Sequence, residues 1–105
     1  MTDDNIDKEE IKKEDNNSIY VGGKPFMNYV TGVVMQFTTK NSKEVIIKSR
    51  GKFISRAVDI AEVTTKRFLE GNIEISEINT DSEEFENKEG KQVRVSTMEI
   101  TLKRK

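Results

Sequence analysis

The sequence contains no cysteine, no histidine and no tryptophan, and it has a single proline. Without cysteine and histidine, a thiol nucleophile, a histidine general base and the usual zinc sites are all excluded. This removes most hydrolase mechanisms. Because the carboxylates lie mainly near the N-terminus and in the last third of the chain, with none obviously placed for magnesium, we expect no enzyme, no cofactor, no metal and no small-molecule substrate. No apolar run approaches the roughly 20 residues of a membrane span, so we expect no membrane partner. The lack of cysteine fits a reducing cytoplasm.

Charge is distributed unevenly along the chain, although the formal net charge is only -1. Residues 1–17 carry seven carboxylates and three lysines without a sustained apolar period, so an acidic, disordered tail is predicted there. Its role is either solubility or competition with a polyanion for basic residues. Residues 24–67 carry nine lysines or arginines against three acidic residues. The remaining chain, residues 18–105, is predicted to be one domain with a basic surface.

Apolar spacing predicts alternating strands and helices in the first two thirds of this domain. A strand is predicted over Ser18–Val21, and a helix begins at Pro25. The β-branched run Val45–Ile47 predicts a central strand that is covered on both faces. A second helix is expected to begin near Phe53 and to end before Gly71. Its predicted apolar face consists of Ile54, Ala57, Val58, Ala61 and Phe68.

The last third of the chain is predicted to be a hairpin that turns at Glu89-Gly90. Its outer part has only Phe85 as a large apolar group, so we expect an arm that projects from the sheet. Right-handed crossovers make the first three strands parallel and the last antiparallel. The predicted fold is α/β, in the form of an α+β two-layer sandwich: βαβαββ, with a mixed four-stranded sheet and two helices.

Two turns combine glycine with basic residues where a strand leads into a helix. The first contains Gly23 and Lys24, and the second contains Arg50, Gly51 and Lys52. Parallel strands bring both turns to one sheet edge, where a basic, flexible backbone near helix N-termini suits phosphate binding. A solvated lysine at a helix entry is the plainer interpretation of the first turn. A nucleotide-binding loop is excluded because GxxxxGK[ST] is absent.

Four segments, VGGKPFMNYV, EVIIKSRGKFISRAVDIAEV, RFL and VRVSTMEI, resemble the Alba family of archaeal chromatin proteins in their order and spacing. The resemblance covers nearly all of residues 18–103. It implies a fold like the C-terminal domain of translation initiation factor 3. It also implies a homodimer that binds double-stranded DNA and RNA without strong sequence preference, associates with the chromosome and compacts it. The alternative is an RNA-binding subunit of a ribonucleoprotein such as an RNase P-type complex.

The resemblance also indicates which residues contact nucleic acid. Lys24 matches the second lysine of a family Lys-Lys-Pro motif; Gly23 replaces the first, so acetylation control is not expected at that position. Lys52 replaces the second arginine of an Arg-Gly-Arg motif and keeps the charge without the planar guanidinium. From the resemblance and from the chemistry of the individual residues, the predicted contacts are Gly23, Lys24, Asn28, Arg50, Lys52, Lys88, Lys91 and Arg94. For Asn28, capping of the local backbone is an equal alternative.

Other residues leave two interpretations open. By the resemblance, Phe68 mediates contact between dimers, whereas by its spacing it is a core residue. Arg56 and Arg67 are expected to be surface or ion-pairing residues, and residues 103–105 a solvated tail. On the hairpin, carboxylates oppose the nearby cations: Asp81, Glu83, Glu84 and Glu86.

Overall fold

The computed structural model describes residues 17–105, so all but the last residue of the tail predicted over residues 1–17 lies outside them. The strands are β1 (Ser18–Tyr20), β2 (Glu44–Arg50), β3 (Ile73–Glu86) and β4 (Gln92–Arg104), and the helices are α1 (Phe26–Thr38) and α2 (Ile54–Val63). A 3-10 turn (Gly51–Phe53) precedes α2 and a π turn (Thr64–Phe68) follows it. The predicted order βαβαββ is confirmed.

The four strands form one sheet in the order β1-β2-β4-β3. Strand β1 is parallel to β2, and β4 is antiparallel to both β2 and β3. The first three strands therefore point the same way, as predicted, and their carboxyl ends share one edge of the sheet.

Only one face of the sheet is packed against the helices. In β2, Val45 and Ile47 are fully buried, while Ile46 and Lys48 between them are partly exposed. The prediction that this strand is covered on both faces is thus wrong, because both helices lie on the same side. We call the other side the open face; it carries Tyr20, Ile46, Lys48, Thr97 and Glu99, which are joined by strand register.

The core lies between the helices and the covered face of the sheet. Helix α1 contributes Val30, Val33 and Phe37, each at most 2% exposed. Helix α2 contributes Ala57 and Ala61, whose small side chains let it approach the sheet closely. Both helices thus present an apolar stripe at helical spacing, as amphipathic helices do.

A π turn decides the position of Phe68. Continued α-helical spacing from Ala57 and Ala61 would direct Phe68 into the core. The π turn adds one residue, closed by a hydrogen bond from the Leu69 N–H to the Thr64 carbonyl at 2.9 Å. Leu69 consequently takes the inward place, and Phe68 is 51% exposed. The core interpretation of Phe68 is therefore wrong.

A β-bulge keeps the isoleucines of β3 on the covered face. Ile75 pairs with Leu102 and Ile78 with Ile100, so both isoleucines lie on the covered face. In a regular strand, residues three positions apart would point to opposite faces. The register shift between Ile75 and Glu77 accounts for this, since one extra residue reverses the alternation.

Arg104 is a structural residue, so the prediction of a solvated tail is wrong for it. Its guanidinium donates to the carbonyls of Phe37 and Ser42 and lies 5.6 Å from the centre of the Phe37 ring. A cation at the C-terminus of α1 satisfies carbonyls that have no partner within the helix. The last strand is thereby attached to the first helix.

Candidate nucleic-acid interface

The first basic turn is held by a tyrosine from the helix that follows it. The Tyr29 hydroxyl accepts hydrogen bonds from the backbone N–H groups of Gly22 at 2.9 Å and Lys24 at 3.1 Å. The Tyr29 side chain is largely buried, which fixes its hydroxyl beneath the turn. The backbone of this turn is therefore held in place, contrary to the flexibility predicted from its glycines.

An arginine from the second helix holds the same turn from the other side. Arg56 donates to the carbonyls of Lys24 at 2.8 Å and Gly22 at 3.4 Å. Its guanidinium also lies 5.9 Å from the centre of the Tyr29 ring. Arg56 thus supports the loop, where the sequence had predicted a surface or ion-pairing residue. No local pattern signals this contact, because Arg56 is more than 30 positions from the turn it supports.

The second basic turn depends on Gly51. Its φ is +59°, and a Cβ at this position would lie 3.2 Å from a methyl carbon of Val95. Any larger residue would be strained by the positive φ, and its Cβ would crowd Val95. Glycine therefore permits β2 to turn into α2 close to the hairpin. Arg50 and Lys52 flank it and are exposed, with the Lys52 ammonium 5.4 Å from the Phe53 ring centre.

The two arginines of the predicted interface are already paired with carboxylates of β3. Arg50 contacts Glu83 at 2.7 Å, and Arg94 contacts Glu84. Consecutive residues point to opposite faces of a strand, so Glu83 lies on the open face and Glu84 on the helix side. All four side chains are more than half exposed, so each pair is weak. The sequence indicated opposing charge on the arm but not these partners.

The tip of the hairpin is ordered by Asn87 and Gly90. Gly90 adopts a φ of +84°, and the Asn87 side chain accepts from the backbone N–H groups of Glu89 and Lys91, each at 2.9 Å. The predicted turn at Glu89-Gly90 is confirmed. Lys88 and Lys91 are exposed at this tip.

The structure therefore brings Lys24, Arg50 and Lys52 to one edge of the sheet and places Lys88 and Lys91 at the end of the arm. Arg94 lies on the arm between these two groups. Gly23 and Asn28 are exposed beside Lys24. Within residues 17–105, neither Lys24 nor Lys52 makes an ion pair. That these residues contact nucleic acid stays a prediction.

Comparison with known proteins identifies the family. The family model described as Alba matches residues 17–82. The DNA/RNA-binding protein Alba of Methanococcus maripaludis is 50% identical over 86 residues, which cover 82% of this chain and 96% of that protein. The protein of the same name from Nanoarchaeum equitans is 49% identical over 88 residues, covering 83% and 97%.

A solved structure agrees with the sequence relatives. Alba from Thermoplasma volcanium superposes with a TM-score of 0.76 at 48% identity, covering 84% of this chain and 100% of that one. The chain belongs to the Alba family. Across residues 17–105, no helix is long and apolar enough to cross a membrane.

Proposed function

We propose that this protein binds double-stranded DNA and RNA as a homodimer, with little sequence preference, and that it coats or compacts the chromosome in the cytoplasm. The observation that carries the proposal is the pair of lysines, Lys24 and Lys52, on ordered turns at one sheet edge. Neither has a carboxylate partner among the described residues. The name of the relatives, DNA/RNA-binding protein, supports the same function.

Binding through phosphates accounts for the proposed lack of sequence preference. Lysine and arginine contacts to the backbone position a protein on nucleic acid but read no base. Lys24, Arg50 and Lys52 would neutralise phosphates, while the exposed Gly23 allows close approach of the backbone and Asn28 donates from its amide. No catalytic step is part of the proposal.

The hairpin arm has a secondary role in the proposed complex. Lys88 and Lys91 at its tip reach phosphates farther along the duplex, and Arg94 contributes from the part of the arm between the tip and the turns. Arg50 and Arg94 must each exchange a carboxylate for a phosphate. This exchange subtracts from the affinity that the two arginines provide.

Self-association is proposed from apolar residues that the single chain leaves exposed. Val58 on α2 is 38% exposed, and Ile78 on the edge strand β3 is 52% exposed. A domain of this size buries only a modest core, so covering these side chains in a symmetric dimer adds stability. The exposed Phe68 is proposed as the contact between dimers on DNA.

The salt dependence of binding tests the proposal. Two protomers that each place Lys24, Arg50 and Lys52 on phosphates neutralise about six of them, so log K against log salt should slope near -5 at about -0.9 per contact. Two unrelated duplexes should give the same slope and similar affinities. A slope flatter than about -2, or strong preference for one duplex, would contradict phosphate-centred binding.

A further inference from the structure

Two exposed aromatic side chains lie on the open face of the sheet. Tyr20, the last residue of β1, is 61% exposed and is aligned with Lys48. Phe85 on the arm is 46% exposed and is aligned with Val93. Alternation along β3 and β4 puts Phe85 on the same face as Glu83, whose carboxylate reaches Arg50 there.

Arg50 lies between these two aromatic residues. One groove, of about 450 Å³, is lined by Tyr20, Lys48 and Arg50 together with Thr97 and Glu99. A second groove is lined by Arg50, Glu83, Glu84 and Phe85. Arg50 therefore borders both grooves, and one of the two aromatic side chains lines each of them.

We propose that this arrangement is a binding site for single-stranded nucleic acid, with a phosphate on Arg50 and unpaired bases stacked on Tyr20 and Phe85. The proposal rests on the phosphate-binding role of Arg50 given above and extends it to a second kind of ligand. Aromatic rings beside a cation form the usual platform for unpaired bases, because every base has a π face. Bases inside a duplex are already stacked and cannot reach these rings.

Charge on the open face indicates that stacking supplies most of this affinity. The face carries more carboxylates than cations: Glu44, Glu74, Glu77, Asp81, Glu83 and Glu99 against Lys48, Arg50 and Lys103. The Lys48 ammonium is shared between Glu99, at 3.8 Å, and the Tyr20 ring, at 5.4 Å from its centre. Binding of single strands should therefore depend less on salt than binding of duplex.

Fluorescence anisotropy of labelled oligonucleotides tests the proposal with oligo(rU), oligo(dT) and a mixed-sequence duplex. Tyr20→Leu and Phe85→Leu should each weaken single-strand binding by at least about fivefold, the lower end of the loss for one stacked base. Duplex affinity should change by less than about twofold. Tyr20→Phe, which keeps the ring, should retain single-strand affinity. Met35→Leu is the matched control, because Met35 is 48% exposed on α1, away from the open face.

Tyrosine fluorescence gives an independent readout, since the chain has two tyrosines and no tryptophan. Oligo(rU) should quench the wild type, and this quenching should be lost in Tyr20→Phe, where only the largely buried Tyr29 remains. If the leucine variants lose affinity for oligo(rU) alone, the site is assigned to RNA. If they lose affinity equally for oligo(dT), it is assigned to single strands of either kind. Unchanged single-strand affinity in both leucine variants, or an equal loss on duplex, would overturn the inference. Failure of the wild type to bind duplex would instead overturn the proposed function.

Discussion

The strand-to-helix turns and the hairpin arm carry the same kinds of cation in different electrostatic surroundings. The turns present Lys24, Arg50 and Lys52, and the arm presents Lys88, Lys91 and Arg94. On the arm these cations share the hairpin with the β3 carboxylates, two of which hold Arg50 and Arg94. The number of basic residues alone would predict equal attraction of a phosphate to both regions. The carboxylates lower the net charge of the arm, so the attraction is expected to be stronger at the turns.

The two regions also differ in what fixes them. The first turn is held by four hydrogen bonds: the Tyr29 hydroxyl accepts two of them and the Arg56 guanidinium donates the other two. These bonds connect the turn to both helices. The arm beyond the sheet is held by strand pairing and by exposed ion pairs, which contribute little stability. Because the backbone that carries Lys24 is already held in place, less backbone freedom would be lost if this residue binds a phosphate.

The largest expected effect comes from removing the Lys24 side chain or from loosening the turn that carries it. Lys24→Ala should flatten the salt slope on duplex DNA by about 2, since the proposed dimer would lose two contacts of about 0.9 each. Arg56→Lys keeps the charge but loses the planar guanidinium that spans the carbonyls of Gly22 and Lys24. Arg56→Lys should weaken duplex binding about fivefold, which corresponds to roughly 1 kcal/mol of binding free energy, as for one displaced or lost contact. Titration of both variants and the double variant measures these losses.

The double variant separates positioning from a direct contact by Arg56. If Arg56 acts by holding the turn, Arg56→Lys should cost no further affinity once Lys24 is alanine. Additive losses would show that Arg56 contacts nucleic acid itself. The melting temperatures of all three variants serve as the control for folding.

Sequence patterns predicted the order of elements because each element has its own apolar period. They failed where a residue is placed by a contact distant in sequence or by a local change of helical register. Arg104 reaches the end of α1 from the far end of the chain, and Phe68 is displaced by a π turn that leaves no clear mark in the sequence. The place of the basic turns could be predicted because each follows a strand with its own apolar pattern, and right-handed crossovers bring the ends of these parallel strands to one sheet edge. Tyr29 and the β3 carboxylates act on the site through tertiary contacts, which one sequence does not show.

A smaller effect is expected at Phe68, which belongs to neither the turns nor the arm. Because its side chain is half exposed, Phe68→Ala should change the free energy of unfolding by less than about 0.5 kcal/mol. If Phe68 joins neighbouring dimers, binding to long duplex should become non-cooperative while binding to a duplex that fits one dimer is unchanged. Chemical denaturation and titrations on the two lengths measure both quantities, and a destabilisation of several kcal/mol would contradict the prediction.

The smallest expected change is a gain, and it distinguishes the arm from the turns by its sign. Glu83→Gln frees Arg50 from its 2.7 Å ion pair. Glu86→Gln is the control: it removes the same charge from the same strand, and Glu86 belongs to none of the four ion pairs found in residues 17–105. Exposed pairs contribute about 0.2–1 kcal/mol each, so loss of one pair in Glu83→Gln should tighten duplex binding about 1.4- to fivefold at low salt.

The central claim is that the cations of the turns bind phosphate and that the carboxylates of the arm compete with phosphate for Arg50. The most direct test is a titration of duplex DNA with Glu83→Gln and Glu86→Gln at two salt concentrations. The account predicts a larger gain for Glu83→Gln than for Glu86→Gln, and a smaller difference at high salt, where exposed charges are screened. An unchanged or weaker affinity for Glu83→Gln, or equal gains for both variants, would contradict it.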